Sequence, residues 1–262
     1  MKKLLSIIIV EYYCIEKLDT CVSSIEKHLK EINYEIIVVS NSKYNTLFRS
    51  KILNKFPNVK WIFNEKNLGY AKAVNRGIRA SEGTYILILN PDAMVLDKNI
   101  IKAIQYLEKN QEVGLLGLKI INSKGVIEES FRSFMTPKVL MKRIFKRLIK
   151  KEFSFAKNII EGPLEVDWVS GACMLTSREK IEIVGLMDER YFMYIEDMDW
   201  CREFWKKGFK VVYWPFGTIM HDASRRSSTD FYKKIFFSKY VIIHFVSYIK
   251  YLIKYFPESF CK

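Results

Sequence analysis

The chain alternates short apolar runs with longer stretches whose apolar residues recur every three or four positions. Leu4–Val10 is an Ile-rich run of the kind found in a strand buried on both faces of a parallel sheet. Lys17–Lys30 carries Leu18, Val22, Ile25 and Leu29 on one helical face. Tyr34–Ser40 is a second buried strand, and a helix with Leu47, Ile52 and Leu53 follows. Val59–Phe63 is a third strand, Tyr70 to about Ala80 a helix, and Thr84–Leu89 a fourth strand. This series predicts right-handed crossovers and an open, mostly parallel sheet, with ligands beyond the carboxyl ends of the strands. The loops Glu11–Tyr13, Ser40–Ser42 and Asn90–Asp92 should then share one crevice.

Further on, a helix from Lys98 to about Lys109 and a strand over Gly114–Ile121 lead to a turn at Asn122–Gly125. Val166–Thr176 is a strand pattern interrupted by Ser170-Gly171-Ala172, small residues that let backbone approach a ligand. Val211–Trp214 is another strand, with His221 just beyond it, and Asp230–Phe256 is a long last helix. Its longest uncharged run, Tyr240–Ile249, is half the roughly 20 residues needed to span a bilayer. There is no internal repeat and no linker.

Charge changes this picture in one respect. The net charge of +14 calls for nucleic acid, an anionic membrane surface or a phosphate-bearing substrate. Between Pro137 and Lys151 there are seven basic residues and no acid, with Val139, Leu140, Ile144, Phe145, Leu148 and Ile149 on the opposite helical side. This basic amphipathic pattern suits an anionic membrane; a solvated face over a core-packed stripe explains it equally well. The five cysteines include no C-x-x-C pair and are expected to be buried thiols of a reducing compartment. The N-terminal apolar run meets Glu11, Glu16 and Asp19 too soon for a signal peptide, so a cytoplasmic protein is expected.

Against this basic background, Tyr191–Trp200 places Glu196, Asp197 and Asp199 within four positions, shortly after Asp188 and Glu189. Carboxylates packed this closely are tolerated around a bound cation or where a base is needed. They are also ordinary in the first turn of a helix, and the apolar spacing after Asp197 predicts such a helix. Asn90-Pro91-Asp92, at the end of the fourth strand, puts a carboxylate where a hard divalent cation could neutralise a diphosphate.

These segments, with Ser6–Val10 and Tyr12, Glu35–Asn41, Asn67–Gly77, Trp168–Leu175 and His221–Ser227, resemble glycosyltransferase family 2 in order and spacing. The resemblance covers about Leu4 to Ser228 and is greatest to the bacterial rhamnosyltransferase branch. It implies an α/β GT-A fold: a mostly parallel sheet flanked by helices, a Rossmann-like nucleotide-sugar half over about 1–95 and an acceptor half over about 96–228. Residues 229–262 would be an amphipathic helical extension.

The implied activity is metal-dependent, inverting transfer of a sugar from a nucleoside diphosphate, dTDP-rhamnose or a UDP-sugar, to a glycan or lipid-linked acceptor. By resemblance Asp197 is the catalytic base, and Asp92 and His221 hold Mg2+ or Mn2+. Val10, Tyr12, Ser40, Asn41, Asn67, Gly69, Asn90 and Asp92 line the donor site. Trp168, Gly171 and Glu196 line the sugar and acceptor pocket. Two positions depart from the family pattern: Ser40 stands where relatives have Asp, and Glu11 where they often have Asn. The leaving diphosphate needs positive charge, for which Arg225 and Arg226 are additional candidates.

The competing classes fit less well. A nucleic-acid binder would place its basic residues beside a recognition motif, whereas here they gather at 137–151 and in the last helix. A sugar-nucleotide pyrophosphorylase would need a Gly-rich basic loop after the first strand, where this chain has Glu11-Tyr12-Tyr13-Cys14. The expected location is the cytoplasm, with peripheral contact through 137–151 and 230–256 on the inner face of the plasma membrane.

Overall fold

The computed structural model describes residues 3–135, 160–221 and 239–259. The chain runs β1 (Leu5–Glu11), α1 (Ile15–His28), β2 (Tyr34–Ser40), α2 (Thr46–Lys55), β3 (Val59–Phe63), α3 (Tyr70–Arg79) and β4 (Tyr85–Leu89). It continues through β5 (Ala93–Val95), α4 (Ile100–Lys109), β6 (Val113–Ile121), β7 (Phe131–Arg132), β8 (Leu164–Glu165), β9 (Trp168–Val169) and β10 (Cys173–Ser177). The last elements are α5 (Arg178–Val184), α6 (Glu196–Lys206), β11 (Lys210–His221) and α7 (Lys239–Ser259).

Alternation along β1 explains its apolar run. Leu5, Ile7 and Ile9 enter one buried cluster with α1, α2 and α4. Ile8 and Val10 enter a second with α3, α5 and α6. The sheet is therefore covered by helices on both faces, as parallel strands require. Its order is β3-β2-β1-β4-β10-β6-β11-β5, with β8 beside β11. β1 to β4 are mutually parallel where they pair. Because β2 and β4 flank β1 on opposite sides, the chain switches direction there, and the crevice opens beyond β1 and β4.

Three sequence expectations need correction. Val166–Thr176 is not one strand: β9 pairs with β7 in a separate two-stranded ribbon, whereas β10 enters the main sheet antiparallel between β4 and β6. The Ser170–Ala172 turn lets the chain change sheets. The strand predicted at Val211–Trp214 runs on to His221, with a register shift between Trp214 and Thr218 around Pro215, which has no N–H to donate. His221 therefore lies on a strand, opposite Ala93 of β5, and not in the loop beyond it. Leu47 and Leu53 are exposed, and Ile52 alone in α2 is buried. The basic segment 137–151, Arg225, Arg226 and residues 230–238 lie outside the described residues.

Candidate active site

One wall of the crevice is built by α6. Tyr194 and Ile195 both have positive φ, at 68° and 76°, so the backbone turns sharply just before Glu196. The turn brings Asp197 against the small-residue bend: Gly171 N–H donates to its Oδ2 at 3.0 Å, and Met198 N–H to its Oδ1 at 2.8 Å. A Cβ on Gly171 would lie 3.3 Å from the Cβ of Asp197, so this close approach favours glycine. Burial pushes the Asp197 carboxyl upward, while these backbone donors and the charge of Arg132 hold it down; the net direction is up. Glu196 is 6% exposed, and its Oε2 has no hydrogen-bond partner among the described residues. Burial, then the charge of Asp197, raises it well above the ordinary glutamate range.

The opposite wall carries Asn90 and Asp92. His221 Nε2 lies 3.1 Å from Asp92 Oδ1 and 3.2 Å from Asn90 Nδ2, and Lys17 Nζ lies 3.4 Å from Asp92 Oδ2. Burial raises Asp92, but the hydrogen bond and charge of His221, followed by those of Lys17, outweigh it and leave the carboxyl below its usual value. A carboxylate and an imidazole on one spot, with the Asn90 amide adjacent, suit Mg2+ or Mn2+. Among the described residues no group of three or more His, Cys, Asp and Glu could hold a metal. An ion on Asp92 and His221 would draw its other ligands from diphosphate oxygens and water, a common mode for Mg2+.

The two walls are hydrogen-bonded to each other. Tyr70 O–H donates to Gly171 O at 2.9 Å and lies 3.4 Å from Asn90 Oδ1. A path therefore leads from His221 through Asn90, Tyr70 and Gly171 to Asp197. Gly69, at φ 87°, starts α3 beneath Phe192, and Tyr70 N–H donates to Phe192 O at 2.7 Å.

The end of the crevice around Glu11 and Ser40 is organised differently from what its residue types imply. Ser40 is fully buried and its hydroxyl donates to Glu11 Oε2 at 2.6 Å, so its side chain turns away from the crevice. Glu11, also fully buried, accepts in addition from Ser42, Tyr44 and the Cys14 N–H. Asn41 is spent on the Asn64 and Gly69 backbone region: its Nδ2 donates to Gly69 O, and its Oδ1 accepts from Asn64 Nδ2 and Leu68 N–H. Asn67 accepts from Gly69 N–H, and Val10 is buried. Tyr12 and Tyr13 are the exposed groups at this end, their ring centroids 4.8 Å apart.

Trp168 lies on the α6 side, its Nε1–H donating to Ser133 O and the Arg132 guanidinium lying 5.8 Å from its ring centroid. Lys17, Tyr70 and Arg132 escape sequence reasoning. Lys17 falls on the polar side of an ordinary amphipathic helix. Arg132 sits on a two-residue strand whose pairing with Trp168 no periodicity announces.

A sheet of this order, with an acidic strand-end motif and a carboxylate on the facing wall, defines a GT-A transferase. The family model "Glycosyl transferase family 2" matches residues 6–183, and the chain belongs to that family of glycosyltransferases. The match stops short of Asp197 and His221, which rest on geometry. Among curated relatives, "N-acetylglucosaminyl-diphospho-decaprenol L-rhamnosyltransferase" of Mycobacterium tuberculosis is 28% identical over 68% of this chain and 63% of its own length. The chain thus spans less than two thirds of that relative. "Rhamnosyltransferase WbbL" of Escherichia coli K12 is 28% identical over 87% of each chain. Among solved structures, GalNAc-T7 with UDP, GalNAc and Mn2+ superposes with a TM-score of 0.63 at 17% identity, covering 84% of this chain and 44% of that one; it supports the fold alone.

Proposed function

We propose that this protein is an inverting, metal-dependent glycosyltransferase that moves a sugar, rhamnose above others, from a dTDP or UDP donor to a lipid-linked saccharide in cell-surface glycan synthesis. The observation that carries this is the hydrogen-bonded path from Asp92 and His221 to Asp197, which joins the residues proposed for the leaving-group site and for the base. The names of the two rhamnosyltransferase relatives support the sugar, and that of the mycobacterial one a lipid diphosphate acceptor.

In this reading Asp197 accepts the proton of the acceptor hydroxyl as that oxygen attacks the anomeric carbon. The bond from that carbon to the diphosphate breaks, its electron pair leaves with the diphosphate, and attack from the opposite face inverts the centre. The two N–H groups on Asp197 aim its carboxylate. Asp92 and His221 would hold a divalent cation, which when bound would supply charge against the departing diphosphate. Lys17, freed from Asp92, adds a second positive charge there.

The protein would work at the inner face of the plasma membrane. Among the described residues no helix is long and apolar enough to cross a bilayer. Ile242, Phe245, Val246, Ile249 and Ile253 recur at steps of three or four on α7 and are exposed, with Lys239 and Lys250 nearby. This stripe, and the basic pattern at 137–151, fit an anionic bilayer.

The deciding experiment is calorimetry of UDP-, dTDP- and GDP-sugars with and without Mn2+. Metal-dependent binding of one nucleotide class is expected. Absence of binding by all three, with donor hydrolysis also absent, would sink the proposal.

A further inference from the structure

The five carboxylates of 188–199 are divided by the fold. Glu196 and Asp197 face the crevice, while Asp199 is 1% exposed and turned to α7. Lys254 of α7 lies 2.8 Å from Asp199, 3.3 Å from Asp188 and 3.1 Å from Glu203. Tyr255 O–H lies within hydrogen-bonding distance of both Asp199 and Glu203, and Tyr191 O–H donates to Asp199. One turn earlier, Lys250 donates to Arg190 O at 2.6 Å, and one turn before that Ser247 donates to Met193 O at 3.0 Å. Ile195 is buried against Tyr248, Tyr251 and Tyr255.

These contacts bracket Tyr194 and Ile195, two successive residues in the left-handed region, one of them β-branched. Each such residue costs on the order of 1–3 kcal/mol and persists only where its surroundings over-determine it. The helix they introduce has no side-chain N-cap. We infer that α7 is a positioning element for the catalytic loop, with Lys254 its central residue: it holds the left-handed turn that aims Asp197 at the crevice. This rests on the reading of Asp197 as base.

The test is Lys254→Met in the full chain, compared with Lys254→Arg and with Lys254→Met combined with Tyr194→Gly. Glycine adopts the left-handed turn without steric cost, so it should partly replace the brace. Hydrogen exchange should quicken at least about tenfold at Glu196–Asp199 in Lys254→Met and stay unchanged in β1 to β4. Donor affinity, by calorimetry with Mn2+, should stay within about twofold. With N-acetylglucosaminyl-diphospho-decaprenol as acceptor, kcat should fall at least about tenfold while the donor KM holds. Lys254→Arg should restore most of kcat, and Tyr194→Gly should recover part of it in the Met background.

A folded Lys254→Met with unchanged kcat and unchanged exchange at Glu196–Asp199 overturns the inference. So does an equal loss of kcat and donor affinity with no recovery from either partner change, which marks a purely structural residue. If Lys254→Met does not fold, Ser247→Ala, which removes one hydrogen bond to Met193 O, takes its place. A kcat lowered about threefold at constant donor affinity supports the brace, and an unchanged kcat overturns it. The exchange result does not depend on which residue is the base. If Asp197→Asn keeps its activity while exchange responds to Lys254, the assignment of the base fails and the brace stands.

Discussion

The two walls of the crevice are made in different ways. The donor wall rests on β1 to β4, which pair in parallel in the order β3-β2-β1-β4 and whose loops are tied by short hydrogen bonds around Glu11. The base wall is assembled from distant pieces: the bend at Gly171, a strained turn at Tyr194 and Ile195, and a C-terminal helix that reaches back to Asp199. In the donor wall the polar groups of Glu11, Ser40, Ser42 and Tyr44 satisfy one another locally. The base wall is held in a costly conformation by long-range contacts. On the proposed function, the locally bonded wall would bind the diphosphate and the braced turn would place the base.

The largest expected effect separates the walls by chemistry. Asp197→Asn should lower transfer by at least about 100-fold, the usual worth of a general base. Donor affinity in calorimetry should stay near normal, because the donor wall is untouched. Near-normal transfer would remove Asp197 from the role.

Next comes the seam between the walls. Gly69 has φ 87°, and an added Cβ would sit 2.4 Å from Phe192 O. Gly69→Ala should cost about 2–4 kcal/mol in urea unfolding, from backbone strain and the displaced loop. A loss below about 1 kcal/mol would mean that the walls meet more loosely than drawn here.

Within the donor wall, Glu11→Gln keeps size but faces an amide N–H toward hydroxyl donors from Ser40, Ser42 and Tyr44. Unfolding free energy should fall by about 1–3 kcal/mol. Hydrogen exchange at α6 should not change; if it does, the walls are not independent.

The smallest effect concerns Glu196. Burial raises both Glu196 and Asp197, so the acid limb of the transfer profile should lie above the roughly pH 4 of an ordinary carboxylate. Folding takes up a proton at Glu196, since its folded value exceeds the unfolded one. Its effect on stability is therefore unfavourable as pH rises through the window between those two values. Glu196→Gln imitates the protonated acid. It should change kcat by less than about tenfold, well below the worth of the base, and flatten the decline in stability across that window. A fall as large as that of Asp197→Asn would make the pair one functional unit.

Much of the donor wall was legible in the chain. The apolar runs at Leu4–Val10, Tyr34–Ser40 and Val59–Phe63 each match an observed strand to within a residue. Strands buried on both faces leave a continuous apolar signature. Asn90, Asp92 and Asp197 were likewise marked by residue type and by resemblance. The short strands β5, β7 and β8 left no pattern, because two or three residues cannot display a period. Ser40 stood out only as a departure from the Asp of relatives; its hydroxyl donates to Glu11, and only the packing of β1 beside β2 reveals that.

By itself, then, the sequence determined the α/β architecture and the position of Asn90 and Asp92 at the end of β4, since periodicity and strand-end position are local properties. Tertiary structure alone decided the division of the acidic cluster. Asp197 points to the bend at Gly171 and Asp199 to Lys254, though they lie two residues apart on one helix. Successive helical residues point in different directions, and what each meets depends on elements that may be 26 or 55 positions away in the chain.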